Sequence, residues 1–80
     1  MPKRVIRYFD KQDDTYSGEI ELKEISLHIL QQMFSIKDKN NPMYDCYILE
    51  EKHDSFILKH LTDELIIDRE KYSYFLEYDS

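Results

Sequence analysis

The stretch Ile66-Ile67-Asp68-Arg69-Glu70-Lys71-Tyr72-Ser73-Tyr74-Phe75-Leu76-Glu77-Tyr78 decides how the chain is read. A polar turn runs into a strand. From Tyr72 onward, Tyr72, Tyr74, Leu76 and Tyr78 fall on one side, and Ser73, Phe75 and Glu77 on the other. Alternation with a period of two is the signature of a pleated surface with two faces. Phe75 stands beside Glu77 on the more polar face. An aromatic next to an acid on the open side of a sheet suits a contact surface. This stretch alone also allows Phe75 to be a second-face core residue beneath a helix.

The same reading extends outward. Residues 3–9 alternate Ile6 and Tyr8 with Val5, Arg7 and Phe9 and form a first strand. A polar connection ends at the only glycine, Gly18, whose freedom at positive φ suits a turn or bulge. Residues 19–22 return as a second strand, with Ile20 and Leu22 inward and Glu19 and Glu21 outward. In residues 24–35 the period changes. Ile25, Ile29 and Met33 are spaced by four, as are Leu30 and Phe34, which predicts one amphipathic helix with His28, Gln31 and Gln32 on its polar side. Asn and Pro make residues 37–42 a loop. Residues 44–50 read as a third strand, with Tyr44, Cys46 and Ile48 facing the helix and Asp45, Tyr47 and Leu49 facing away. Residues 55–61 read as a fourth, with Phe56 and Leu58 opposed to Ile57 and Lys59. The expected fold is a single α+β domain over residues 1–80: a small antiparallel sheet of four to five strands with one helix packed on one face. The other face is then left to solvent or a partner.

Composition narrows the function. The chain has no Ala, no Trp and one Gly, against seven Tyr and four Phe, which favours strands over close-packed helices. An 80-residue domain buries a small core and has little apolar surface to spare for a deep substrate pocket. The net charge of −6 resides in residues 40–80, where ten acids meet four bases. Such a surface repels nucleic acid and speeds encounter with basic proteins; it also serves solubility alone. One cysteine, Cys46, allows no internal disulfide and fits a reducing compartment. The basic start of the chain is followed by no apolar run, so no signal peptide is expected, and no stretch has the length of a membrane span. The expectation is a soluble cytoplasmic protein.

Motifs for catalysis are absent. His28, His53 and His60 make no pair with Cys46 at the spacing of a structural zinc site. Cys46 alternates with Tyr44 and Ile48, which reads as a buried small residue rather than a nucleophile. One glycine cannot supply a phosphate-cradling loop. No enzyme activity, cofactor or metal is expected. Alternation leaves Arg7, Phe9, Glu19, Glu21, Asp45, Tyr47, Ser73, Phe75 and Glu77 on the open face. Aromatics inside an acidic rim suit a basic protein partner; the same residues also describe an ordinary solvated face.

Three segments together resemble a family. Val5-Ile6-Arg7-Tyr8-Phe9-Asp10-Lys11, an acidic loop and Tyr16-Ser17-Gly18-Glu19 are similar to the opening of the cloacin and ribonuclease-colicin immunity proteins. Asn40-Asn41-Pro42-Met43-Tyr44-Asp45 is similar to their Asn-Asn-Gly-x-Phe-Asp, and residues 67–75 to their Ile-Asp-Ile-Ser-Lys-Phe-Asp-Tyr-Phe. The segments keep the family's order and cover about half the chain. The helical region here is longer and more apolar, and the charged run at residues 50–54 has no counterpart. The resemblance implies a four-stranded antiparallel sheet with a short helix. It also implies a stoichiometric inhibitor whose acidic sheet face binds the basic nuclease domain of a bacterial toxin. The family's face positions fall on Phe9, Asp10, Glu19, Asp45 and Phe75, and its variable interface position on Met43. The expected partner-binding set is therefore Arg7, Phe9, Asp10, Glu19, Glu21, Met43, Asp45, Tyr47, Phe75 and Glu77. The expected partner is the C-terminal nuclease domain of one cognate toxin, colicin-like or of the contact-dependent growth inhibition kind. A monomer would bind it one to one, with no direct contact to nucleic acid or membrane. The rival expectation is an acidic nucleic-acid mimic that inhibits a DNA-binding enzyme.

Overall fold

A computed structural model describes residues 3–79. Strand β1 (Lys3–Asp10) pairs along its whole length with β4 (Tyr72–Asp79). On its other side β1 pairs with β2 (Tyr16–Glu21), and β4 pairs with the two-residue β3 (Tyr47–Ile48). All pairings are antiparallel, and the order is β2-β1-β4-β3. Register sets the faces. Ile6 lies opposite Ile20 and Leu76, and Tyr8 opposite Gly18 and Tyr74, so these side chains share one side. Ile6, Leu76 and Tyr74 are buried there with Leu22, Leu30, Met43, Leu49, Ile57 and Leu61. The α+β architecture with a small antiparallel sheet is the one read from the sequence.

Two short helices, not one, cover this side. Helix α1 (Leu27–Met33) begins where Ser26 accepts the Ile29 N–H at 3.3 Å, and it buries Leu30. Its Gln31, expected on the polar side, is 5% exposed and donates from Nε2 to the Lys39 and Asn41 carbonyls at 3.1 and 2.7 Å. An amide buried at that position is satisfied by pinning the following loop. The expected fourth strand over residues 55–61 is helix α2 (Asp54–Lys59), led in by a 3₁₀ turn at Glu51–His53. His53, Ile57 and Leu61, spaced by four, are all buried, and Phe56 stacks on His60 at 4.4 Å. Helical spacing wins because it puts all of these against the sheet at once.

The expected third strand is also corrected. Only Tyr47 and Ile48 join the sheet, and the faces are reversed: Tyr44 is 60% and Ile48 59% exposed, Cys46 is exposed, and Leu49 is buried. The loop ahead of β3 sets this offset. Met43 takes a left-handed φ of 56°, its N–H bonds Asn41 Oδ1 at 2.8 Å, and its side chain is fully buried. Arg4 clamps the Met43 and Pro42 carbonyls at 2.6 and 2.8 Å. Gly18 does not adopt a positive φ; Asp14 does so in the turn instead. The glycine serves a close approach: a Cβ there would lie 2.6 Å from the Tyr8 hydroxyl. Ser17 is the extra residue of a bulge, since Tyr8 pairs with Gly18 and Phe9 with Tyr16. Among the described residues no helix is long and apolar enough to cross a membrane.

Candidate interaction face

The second side of the sheet carries no helix. Register places Val5, Arg7 and Phe9 of β1 there, with Glu19 and Glu21 of β2, Phe75, Glu77 and Asp79 of β4, and Ile48 of β3. Two zones emerge. At one end Phe9 meets Phe75 edge to face at 5.9 Å and Tyr16 at 6.1 Å. Tyr16 and Ile48, beside them, are 56% and 59% exposed. Neither Phe belongs to the buried core. This is an apolar surface left in water, with the edge-to-face geometry that aromatic rings prefer.

The other zone is ionic and built around Arg7. Its Nε donates to Glu19 at 2.9 Å, Nη1 to Glu77 at 2.7 Å and Nη2 to Asp79 at 2.8 Å. Those bonds, Asp79 foremost, hold the guanidinium charged far above the range where it would titrate. Arg7, with Lys3 opposite Asp79, faces Glu19, Glu77, Asp79 and exposed Glu21, so the carboxylates are in excess. Tyr16 donates its hydroxyl to Glu19 at 3.0 Å and so links the two zones. Between the charges Val5 is 1% exposed on a face with no covering layer. The Cys46 thiol lies 3.6 Å from the second oxygen of Glu77, and desolvation, then that carboxylate, push its pKa up. The result is a thiol less reactive than usual.

Arg7, Phe9, Glu19, Glu21, Phe75 and Glu77 are thus brought onto one surface, as alternation predicts. The other four expected residues stand elsewhere. Asp10 lies opposite Tyr72, on the covered side, and accepts the Gln12 N–H at 2.8 Å as part of the turn. Met43 is wholly in the core. Tyr47 lies opposite Leu76, turned toward Phe34 on the helix side at 5.9 Å. Asp45 is exposed in the loop before β3, next to Cys46 but outside the sheet. Asp79, Tyr16 and Ile48 belong to the face and were not expected. Asp79 continues the run Phe75, Glu77, so the alternation already pointed to it. Ile48 needed the true register of β3.

Among the described residues no group of three or more His, Cys, Asp or Glu side chains could hold a metal ion. His53 is buried with Nε2 unpartnered, while its Nδ1 accepts the Glu50 N–H at 3.0 Å. That is a folding role, in contact with Phe34 at 4.3 Å, on the side away from the face. No curated protein matches the chain. Residues 3–77 match the model of a family described as a domain of unknown function, DUF7683, and the chain belongs to that family.

Proposed function

We propose that this protein is an immunity-type inhibitor, which neutralises a basic nuclease toxin by docking it on the uncovered sheet face. One observation carries the reading: an uncovered sheet face that sets partly buried Phe9 and Phe75 and exposed Tyr16 beside an excess of fixed carboxylates. A partner that buries this face gains from desolvating Phe9, Phe75, Tyr16 and Ile48, and the acids attract a cationic surface and set its orientation. The resemblance to cloacin and ribonuclease-colicin immunity proteins supports the same reading, because that family binds through such a face. Binding here needs no bond-making chemistry from the chain. The partner would be the C-terminal nuclease domain of a colicin-like or contact-dependent toxin, met in the cytoplasm and bound one to one.

The nucleic-acid mimic is less well supported. A mimic must present free anions along a track, as a phosphate backbone does. Here three carboxylates are drawn onto one guanidinium within 2.9 Å. The test takes as partner the basic C-terminal nuclease domain of a colicin-like or contact-dependent toxin. Stoichiometric protein should abolish its nuclease activity, and Glu21→Lys, which breaks none of the Arg7 ion pairs, should slow association several-fold at low salt. A second variant, Phe75→Ser, should speed dissociation at least tenfold. Full inhibition by both variants with unchanged rates would exclude this face, and no inhibition at any excess would exclude the function.

A further inference from the structure

The sheet has two outer edges, and they differ. On one side β3 is two residues long. The Leu49 N–H bonds the Tyr74 carbonyl at 2.8 Å, so only Ile48 of β3 turns its backbone outward. On the other side stands β2. The Leu22 N–H donates to the Arg4 carbonyl at 2.9 Å, so by alternation Ile20 and Leu22 bond inward to β1, while Glu19 and Glu21 turn their backbone groups outward. The fold itself uses one end of this edge. Thr62 donates its N–H and its hydroxyl to the Glu21 carbonyl, each at 2.9 Å, beside an antiparallel bridge between Leu22 and Leu61. After Thr62 the chain turns away. Among the described residues nothing bonds the N–H or C=O of Glu19 or the N–H of Glu21, and both residues are exposed.

We propose that a partner protein adds a fifth strand to this edge: an extended segment, antiparallel to β2, with Lys or Arg at alternate positions. The bridge at Leu61 already sets the direction, and the added strand continues its line past Thr62. Charge selects the occupant. On the uncovered face β2 carries Tyr16, Glu19 and Glu21, two acids and no base. Glu19 shares Arg7 with Glu77 and Asp79, and Glu21 has no ion pair among the described residues. A second copy of the chain is rejected, because two β2 strands meeting about a two-fold axis set Glu19 and Glu21 against the same acids. Basic residues there make opposite-charge cross-strand pairs instead. Between them the added strand needs a small apolar residue, since Ile20 is half-buried against the core on the other side. The main-chain ladder supplies affinity and the alternation of side chains supplies specificity. Both β2 and β1 separate the added strand from Phe75, so the proposal does not rest on the nuclease reading.

The test titrates the native protein with the peptide acetyl-Lys-Val-Lys-Val-Lys-Val-amide at low salt and follows the backbone amides by NMR. A short peptide held by a few hydrogen bonds binds at about 1 mM, so the titration runs to about 5 mM. The Glu19 and Glu21 amides should shift and exchange with solvent about fivefold more slowly, while those of Phe75 and Ile48 stay in place. In an antiparallel pair the residue opposite Glu19 exchanges both bonds with it and shares its face, so the lysine amides are the ones that bond. N-methylation of the lysine amides should therefore weaken binding at least about tenfold, and N-methylation of the valine amides should leave it unchanged. Glutamate in place of the lysines should abolish binding. No shift at the highest concentration overturns the proposal, and so does equal loss from the two methylation patterns or equal binding of the glutamate peptide. Shifts centred on Phe9 and Phe75 would put the peptide on the sheet face and overturn it as well.

Discussion

Phe75 and Leu76 are neighbours in the chain and opposites in the fold. Leu76 is 1% exposed beneath two helices, while Phe75 lies only partly buried, against Phe9, with no helix above it. The difference runs through the whole sheet. On the covered side, shape decides which residue is tolerated: Tyr8 fits because Gly18 has no Cβ, and the Tyr74 hydroxyl accepts the Asp68 N–H at 2.9 Å. On the uncovered side, charge decides: Arg7 gathers three carboxylates and the aromatics are left unfinished. A strand with two such faces packs one into the core and leaves the other without a covering layer.

Substitution at the adjacent pair is the strongest way to break the comparison. Leu76→Ala should cost about 2–5 kcal/mol, the transfer term plus the cavity left in a packed core. Phe75→Ala should cost about 1 kcal/mol, mostly the lost edge-to-face contact with Phe9. Urea denaturation of both variants measures the difference. Equal losses would mean that the second face is as structural as the first. Next in size, Gly18→Ala should cost about 1–3 kcal/mol, because the new methyl group meets the Tyr8 ring and forces a shift in a packed side chain. An unchanged urea midpoint would show that Tyr8 swings aside freely, and that the covered side is looser there than its packing with Tyr72 and Tyr74 indicates.

What the sequence revealed follows the same division. In β1, β2 and β4 each residue has a polar or apolar neighbour that marks its face, so alternation alone placed Arg7, Phe9, Glu19, Glu21, Phe75 and Glu77 together. Residues 22–71 were harder because single polar side chains organise them. Residues 55–59 alternate as well as a strand does, and the helical stripe appears only when His53 is counted as an inward residue with Ile57 and Leu61. The β3 register turned on Met43 being buried behind the Arg4 clamp, a contact between residues 39 positions apart. Arg69 is similar. It pairs with both Asp54 oxygens at 2.7 Å and with the Leu49 carbonyl at 3.1 Å, and no local pattern announces it.

His53 sharpens the comparison from the covered side. Burial lowers its pKa, and Lys52 lowers it further, against the opposing pull of nearby Glu50 and Asp54. The folded protein therefore binds this proton less readily than the unfolded chain, whose histidine titrates near 6.5. The unfolded state holds more protons in the window below that value, so stability is intact above about pH 6.5 and falls as the pH drops toward the folded value. The slope contributed by one such group is at most about 1.4 kcal/mol per pH unit. His53→Gln, which keeps an acceptor and does not titrate, should flatten the stability profile between pH 6.5 and 5 relative to the native chain. Identical profiles would show that His53 takes up its proton without loss.

The smallest effect is expected from Arg7, despite its three ion pairs. Its side chain is 20% exposed and those of Glu19, Glu77 and Asp79 are 32%, 22% and 33% exposed, so water screens the network. Exposed pairs contribute little each, and a network of them about 1 kcal/mol in all. The sign of the salt dependence is more telling than the size. With Arg7 present, attraction dominates, and added salt weakens it. Arg7→Met leaves Glu19, Glu77 and Asp79 facing one another, so added salt should now stabilise the variant by screening their repulsion. The gap between native and variant urea midpoints should therefore narrow from 20 mM to 500 mM NaCl. A gap of about 3 kcal/mol or more that salt does not touch would be the mark of a desolvated ion held for folding. In that case the uncovered face would be part of the core's architecture and no longer a surface kept free for a partner.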